Sequence, residues 1–179
     1  YPGANGVTSG VRWGREVPLV HCPEWLPGDL PHDTGAWRIS HNDGKMDGFA
    51  IGDYGPYYAY SQFDRRDIPN YFAWADEYVL GDNFFASVAG PSYPNHLYFI
   101  AGQAGGAIDN PENIKTKWLN GDRAFKSWGC DAFGDDVYVE VEAPDGTITR
   151  HETCFDFRTM GHDLSDNDID WAYYAADPY

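Results

Sequence analysis

The segment Gly90-Pro91-Ser92-Tyr93-Pro94-Asn95-His96, running on into Leu97-Tyr98-Phe99-Ile100-Ala101-Gly102, constrains the fold more than any other stretch of the chain. Proline has a fixed φ and no N–H to donate. Pro94 therefore suits the first turn of a helix, where that N–H would have no helical partner. Gly102 is a natural helix stop, because glycine enters the left-handed conformation at little cost. Upstream, Asp82-Asn83-Phe84-Phe85-Ala86-Ser87-Val88 reads as a short buried strand or extended run, and Gly90-Pro91 as a turn. The order predicted is strand, tight turn and helix, with Ser92 at the helix entrance.

The rest of the chain alternates helical and strand patterns. His32 to Asn42 predicts a helix capped by Asp33 or Thr34, with Ala36, Trp37 and Ser40 on one face and Gly44 as its stop. Asp67-Ile68-Pro69 sets a carboxylate near a second cap and proline in the first turn. Ile68, Phe72, Ala75 and Val79 then recur at helical spacing as far as Gly81. Val137, Val139 and Val141 alternate with Tyr138, Glu140 and Glu142 in a half-buried strand. Pro144-Asp145-Gly146 turns and Thr147-Ile148-Thr149 returns. A short helix over 159–166 and a strand over 169–174 follow. Residues 1–30, rich in glycine and proline, read as a long surface loop, and 50–63 as irregular. The alternation indicates an α/β domain, and 179 residues suffice for one sizeable core.

Charge and termini narrow the function classes. Lys and Arg number 12 against 28 Asp and Glu, a net charge of −16. That field repels nucleic acid and anionic head groups, so no nucleic-acid partner is expected. No apolar stretch approaches the ~20 residues of a membrane helix, so no transmembrane segment is expected. The chain begins at Tyr1 without a basic-then-apolar leader and stops after a strand-like run, so both ends are read as cut. Trp and Tyr are abundant, and such rings line sugar and choline sites as well as cores.

The three cysteines, Cys22, Cys130 and Cys154, are an odd count. Cys130 and Cys154 flank the expected hairpin and are the candidate disulfide, which implies an oxidising compartment. Buried thiols are the plainer alternative. A zinc site with His151 or His162 is a third, although the spacing is not a zinc pattern. Cys22 is left over.

The chemistry concentrates at Ser92. A hydroxyl at a helix entrance meets free N–H groups and the positive end of the helix dipole, which together favour an anion. Asn95 lies one turn on with an amide donor. A serine hydroxyl is a weak nucleophile at neutral pH, and a divalent cation could stabilise its alkoxide. The plain alternative is that Ser92 only caps the helix and Asn95 is solvated.

Gly90-Pro91-Ser92-Tyr93-Pro94-Asn95-His96, with Asp82-Asn83-Phe84-Phe85 before it and Gly102 after, resembles the nucleophile motif of the bacterial phosphoesterase family that contains phospholipases C and acid phosphatases. His32-Asp33, Asn42-Asp43-Gly44-Lys45-Met46-Asp47-Gly48-Phe49, Asp67-Ile68-Pro69, Trp128-Gly129-Cys130-Asp131, Cys154-Phe155-Asp156-Phe157 and 169–174 resemble further blocks of that family, in its order. The resemblance implies a partial alkaline phosphatase-like domain over 1–179, with a central mixed sheet flanked by helices, from a secreted or periplasmic protein. It implies a metal-dependent phosphoric ester hydrolase in which Ser92 forms a phosphoseryl intermediate and Asn95 donates to a phosphoryl oxygen. His32, Tyr93 (through its backbone N–H) and His96 are the substrate-binding candidates, and His96 reads more readily as structural, bonding backbone near the turn. Asp47 is read as a loop or cap carboxylate. The expected substrate is a phosphoester, with phospholipid among the options, and the expected cofactor is a divalent metal ion of unassigned identity. Ser92 is the one metal ligand named. The family's Glu-Asn-x-Ser-Phe-Asp segment is expected before Tyr1, and an Asp pair with His residues after Tyr179, so the piece alone is expected to be inactive.

Serine at 92 and histidine at 96 lean toward the phosphatase-like branch. Two other readings stay open. One is a carbohydrate- or surface-binding module using Trp25 and Gly55-Pro56-Tyr57-Tyr58-Ala59-Tyr60. The other is a different alkaline phosphatase superfamily hydrolase, such as a phosphodiesterase. A sulfatase fits less well, because Ser92-Tyr93-Pro94-Asn95-His96 lacks the arginine of that motif.

Overall fold

The computed structural model describes all residues except 23–27, 50–55, 120–122, 133, 135 and 175–179.

 The last described stretch is therefore residues 136–174. Internal packing divides the chain into two compact units, Tyr1–Ala89 and Gly90–Tyr179.

In the first unit, strands interrupt the surface loop expected over 1–30, among its described residues. These are β1 (Ser9–Arg12) and β2 (Arg15–Pro18), paired antiparallel, and β3 (Val20–His21). The turn is Trp13-Gly14, with φ of 45° and 75°. Two left-handed residues in succession match the right-handed twist of a two-residue hairpin. Tryptophan is an unusual first residue for such a turn, and that concealed the hairpin in the sequence. β3 pairs in parallel with β4 (Ser61–Gln62), just after the short helix α2 (Pro56–Ala59). Tyr60 is buried, and its hydroxyl donates to the Val11 carbonyl at 2.7 Å, fastening the hairpin.

Helix α1 (Thr34–His41) follows its sequence signals: the Asp33 carboxylate accepts the Ala36 N–H at 2.8 Å. Thr34 and Ala36 are its buried positions, whereas Trp37 is exposed. The helix exits through left-handed Asn42 and Asp43. Asp47 holds this exit. Its carboxylate accepts from the Gly14 N–H at 3.0 Å and the Asn42 amide at 2.7 Å, and its carbonyl accepts the Trp13 N–H. The loop reading of Asp47 thus has a physical content: a buried polar group is tolerated when donors meet it. Gly48 follows, where a Cβ would collide with the Ile39 carbonyl.

Helix α3 (Pro69–Glu77) has proline at its start, but Ile68 is the N-cap and no side chain caps it. The Asp67 carboxylate is drawn away to the Asp64 N–H and His21. Ile68, Phe72 and Ala75 share the half-buried face. Val79 lies past the helix end and is 89% exposed.

The expected buried strand over 82–88 is absent among the described residues, and Phe84 and Phe85 are exposed. The Asp82 carboxylate instead accepts the Asn5 N–H at 2.8 Å. A strand apolar on both faces needs neighbours to pair with, and no described strand pairs with this one.

In the second unit, α4 (Ser92–Ala101) ends at left-handed Gly102, as its sequence predicts. The strand β5 (Thr116–Leu119) pairs antiparallel with β6 (Arg123–Lys126). The predicted hairpin is β7 (Val139–Glu142) with β8 (Ile148–His151), also antiparallel, and Val139 lies opposite His151. The chain after α4 runs along β7: the Ile108 N–H donates to Glu140, the Glu112 N–H to Tyr138, and Glu142 returns a bond to Gly106. Gly106 has φ of 82°, and a Cβ there would sit 2.9 Å from the Glu142 carbonyl, so glycine is needed for this approach.

Tyr93, Ala104, Ala107 and Val139 form the buried core, with Leu97, Trp128 and Phe155 packed against it. Val139 is fully buried, which contributes about 2 kcal/mol. Helix α5 (Met160–Asp166) is capped reciprocally by Thr159 and His162. Residues 169–174 form no strand; Tyr173 and Tyr174 are exposed.

The structure is mixed α and β. Its described strands form four two-stranded sheets, not the central mixed sheet expected from the resemblance. The pairing runs that such a sheet requires, 82–88 and 169–174, carry no strand partner.

The Asp47 hub generates a stability prediction. Asp47→Ala leaves the Gly14 N–H and the Asn42 amide without their acceptor and should cost about 2 kcal/mol or more. Lys45→Ala, at an exposed neighbour, should be near neutral. Denaturant midpoints of the two variants check this, and equal midpoints would contradict the hub.

Candidate functional site

Ser92 is the first residue of α4, and Pro91 is the N-cap. Proline has no side-chain oxygen, so the N-cap residue makes no capping bond of its own. Ser92 therefore does not serve as the cap, and its side chain is half-buried rather than sealed. Successive helical side chains point about 100° apart, because 3.6 residues make a turn. Tyr93 and Pro94 face the core, which leaves Ser92 on a different side of the helix.

Two groups that the resemblance assigns to phosphate are engaged within the protein. The Tyr93 N–H donates to Asn110 Oδ1 at 3.1 Å. The Asn95 amide reaches back one turn and donates to the Gly90 and Pro91 carbonyls, both at 3.0 Å. These bonds close the Gly-Pro turn on the helix start. Asn110 is a residue that the sequence did not single out. It lies in Asp109-Asn110-Pro111, and a turn signal was the one clue available.

Tyr93 also works through its side chain. The ring is buried, and its hydroxyl donates to the Thr153 carbonyl at 2.6 Å. Burial pushes the phenol up to about 12, so it remains a donor at any ordinary pH. His96 is exposed on α4, without the backbone bond considered for it among the described residues. Ser92, Tyr93, Asn95 and His96 thus share the first turn and a half of one helix.

His32 belongs to the first unit, is exposed, and has its Nδ1 2.7 Å from the Leu30 carbonyl. Cys130 and Cys154 are joined in a disulfide. Cys22 is buried in the first unit. Of the residues that suggested a glycan module, Trp25 and Gly55 lie outside the described residues, and Tyr60 is buried.

One cluster among the described residues brings metal-ligand types together. His21, Asp64 and Asp67 offer donor atoms within 4.8 Å of one another. His21 and Asp64 border a cavity of about 350 Å³ lined also by Tyr1, Phe63 and Phe72. The donor set does not fit a resident divalent ion, because each group already has a partner. His21 Nε2 lies 2.9 Å from both Asp67 oxygens, and the Arg66 guanidinium grips Asp64. The side-chain bond from Arg66, then the bond from its N–H, holds the Asp64 carboxyl down to about 2. Asp67 is lowered as well, first by the Asp64 N–H and then by His21.

A model of the phosphoesterase family matches residues 21–178. A hemolytic phospholipase C of Pseudomonas aeruginosa is 29% identical over 171 residues, which cover 96% of this chain and 19% of that protein. The chain thus spans a small part of that relative's length. No solved structure matches it.

Two predictions follow from this geometry. Asn110→Ala leaves the Tyr93 N–H without its acceptor and should cost about 1 kcal/mol, whereas Asn110→Asp, which keeps an oxygen there, should cost less. Denaturant midpoints measure both. The second concerns acid. A carboxylate whose folded pKa lies below its unfolded value stabilises the fold above the unfolded value and loses that contribution as pH falls. For Asp64 the window runs from 3.8 down to about 2. The melting temperature should fall across that window, and less steeply in Asp64→Asn; identical slopes would refute the assignment.

Proposed function

Since the chain belongs to the phosphoesterase family, we propose that it is part of the catalytic domain of a phosphoric ester hydrolase of phospholipase C or acid phosphatase type. The family match runs across both compact units, which supports reading them as parts of one domain with an alkaline phosphatase-like architecture.

The observation that carries the proposal is the state of Ser92. It stands at the first position of a helix within the Gly-Pro-Ser-x-Pro-Asn-His segment, half-buried and relieved of capping by Pro91. In this reading Ser92 Oγ bonds to phosphorus as the bond to the leaving oxygen breaks. The serine proton ends on the leaving alcohol, by way of solvent. Water then cleaves the phosphoseryl ester and frees the enzyme.

Asn95 and the Tyr93 N–H are the oxyanion donors of this reading. To act they exchange their present acceptors, the Gly90 and Pro91 carbonyls and Asn110 Oδ1, for phosphoryl oxygens. Bonds to a charged oxygen are roughly twice as strong as neutral ones, which favours the exchange when phosphate is present. His32 and His96 are candidates for contact with substrate.

The family reading includes a divalent cation, which would supply charge stabilisation for an alkoxide and for phosphate. The paired His21 cluster does not serve that purpose. A phospholipid substrate is supported by the likeness to a hemolytic phospholipase C, and small monoesters by Ser92 and His96. The Cys130–Cys154 disulfide supports a secreted or periplasmic protein. No described helix is long and apolar enough to cross a membrane.

The test uses the full-length protein with p-nitrophenyl phosphate and p-nitrophenyl phosphorylcholine. Ser92→Ala should reduce turnover of the preferred substrate by roughly a thousandfold or more. A chelator should abolish turnover, and added divalent cation should restore it. Turnover retained by Ser92→Ala would end the assignment of the nucleophile, and the preferred substrate distinguishes phosphatase from phospholipase C.

A further inference from the structure

The Tyr93 hydroxyl leads from the helix start to the disulfide in three steps. It donates to the Thr153 carbonyl at 2.6 Å, within the protein. The Thr153 hydroxyl donates in turn to the Gly129 carbonyl at 2.9 Å. Thr153 and Gly129 each precede a cysteine of the Cys130–Cys154 disulfide.

This connection bears on Ser92 through helix geometry. The two residues are adjacent, so fixing the direction of the Tyr93 side chain fixes the roll of the first turn and the direction of the Ser92 Cα–Cβ bond, from which Oγ swings only among its rotamers. Pro94, fully buried, resists rotation on the same side.

The disulfide is not held by packing. Both cysteines are exposed, and a cavity of about 190 Å³ lies against them, lined by Gly129, Cys130, Thr153 and Cys154. Thr153 itself is buried, and the covalent bond beside it ties its carbonyl to the Gly129 segment where Tyr93 needs it.

We propose that Tyr93 is a positioning residue whose hydroxyl, pinned beside the Cys130–Cys154 disulfide, aims Ser92, so that turnover depends on that disulfide remaining oxidised. The proposal rests on Ser92 being the nucleophile. It differs from the oxyanion role of the Tyr93 N–H, because it concerns the ring and its hydroxyl.

The test again uses the full-length protein and p-nitrophenyl phosphate or p-nitrophenyl phosphorylcholine, whichever is turned over. Tyr93→Phe keeps the ring and removes the bond. It should lower kcat by roughly tenfold or more while KM moves less than about twofold, because a misdirected nucleophile weakens the chemical step more than binding. Cys130→Ser with Cys154→Ser should lower kcat similarly. Dithiothreitol on the folded wild type should do the same; it gives two electrons and two protons to the disulfide and leaves as its own cyclic disulfide.

The decisive result is the coupling. If both changes act through one connection, the triple variant should be no worse than the weaker of its parents. Losses that multiply, or a Tyr93→Phe protein with wild-type kcat, would overturn the proposal. Dithiothreitol decides the matter if the cysteine variants do not fold.

Amide exchange over residues 92–97 separates this proposal from the one on which it rests. Faster exchange in Tyr93→Phe and in the reduced protein is expected, and unchanged exchange refutes the brace. If Ser92→Ala stays active, the nucleophile assignment fails, and the exchange experiment still judges the connection to the disulfide.

Discussion

A buried phenol organises the second unit. Tyr93 places its ring in the core with Ala104, Ala107 and Val139, and that cluster is where α4, the chain after it and β7 meet. A buried hydroxyl needs a partner, since leaving it without one costs about 1–3 kcal/mol. The Thr153 carbonyl meets that need. The same residue therefore joins apolar packing to a specific polar contact, and the contact decides the orientation that packing alone leaves free. The side of α4 that carries Ser92 stays only half-buried as a consequence of what its neighbour buries.

The first unit has its own organising charge. Asp47 gathers donors from the Trp13-Gly14 turn and from the exit of α1, joining two segments far apart in sequence. Left-handed Asn42, Asp43 and Met46 surround it, at positions where side-chain residues are strained. Their strain is offset by the bonds made at Asp47. The Asp64–Arg66 and His21–Asp67 pairs organise the turn before α3 in a similar way, at the surface, where such pairs contribute less.

What the sequence made legible was local. The Asp33 cap of α1, the Gly102 stop, the proline at the start of α3, the β7–β8 hairpin and the entry of α4 all follow from short-range signals. These residues are governed by backbone geometry within a few positions. The failures have a common cause in pairing. Asp82 to Val88 has the composition of a buried strand, but composition cannot supply the neighbour against which a strand must lie. The reverse error occurred at Trp13-Gly14, where hairpin geometry prevailed over an unfavourable residue. At the site, Ser92 was visible in its motif, whereas Asn110 and Thr153 were not. Each reaches the helix start from a distance in sequence, Asn110 by an amide oxygen and Thr153 by a backbone carbonyl that any residue could provide.

The occupied donors at the start of α4 are consistent with a phosphate site. A helix entrance carries N–H groups that need acceptors whether or not a ligand is present. Here Asn110 Oδ1 fills that role for Tyr93, and the Gly90 and Pro91 carbonyls draw in the Asn95 amide. All three acceptors are neutral. An incoming phosphoryl oxygen carries charge and meets the positive end of the helix dipole, so it competes favourably for the same donors. The exchange costs little in geometry if the first turn does not move. That condition is met by the Tyr93 side chain, whose attachment to Thr153 lies on the other side of the helix from Ser92 and need not change when the donors do.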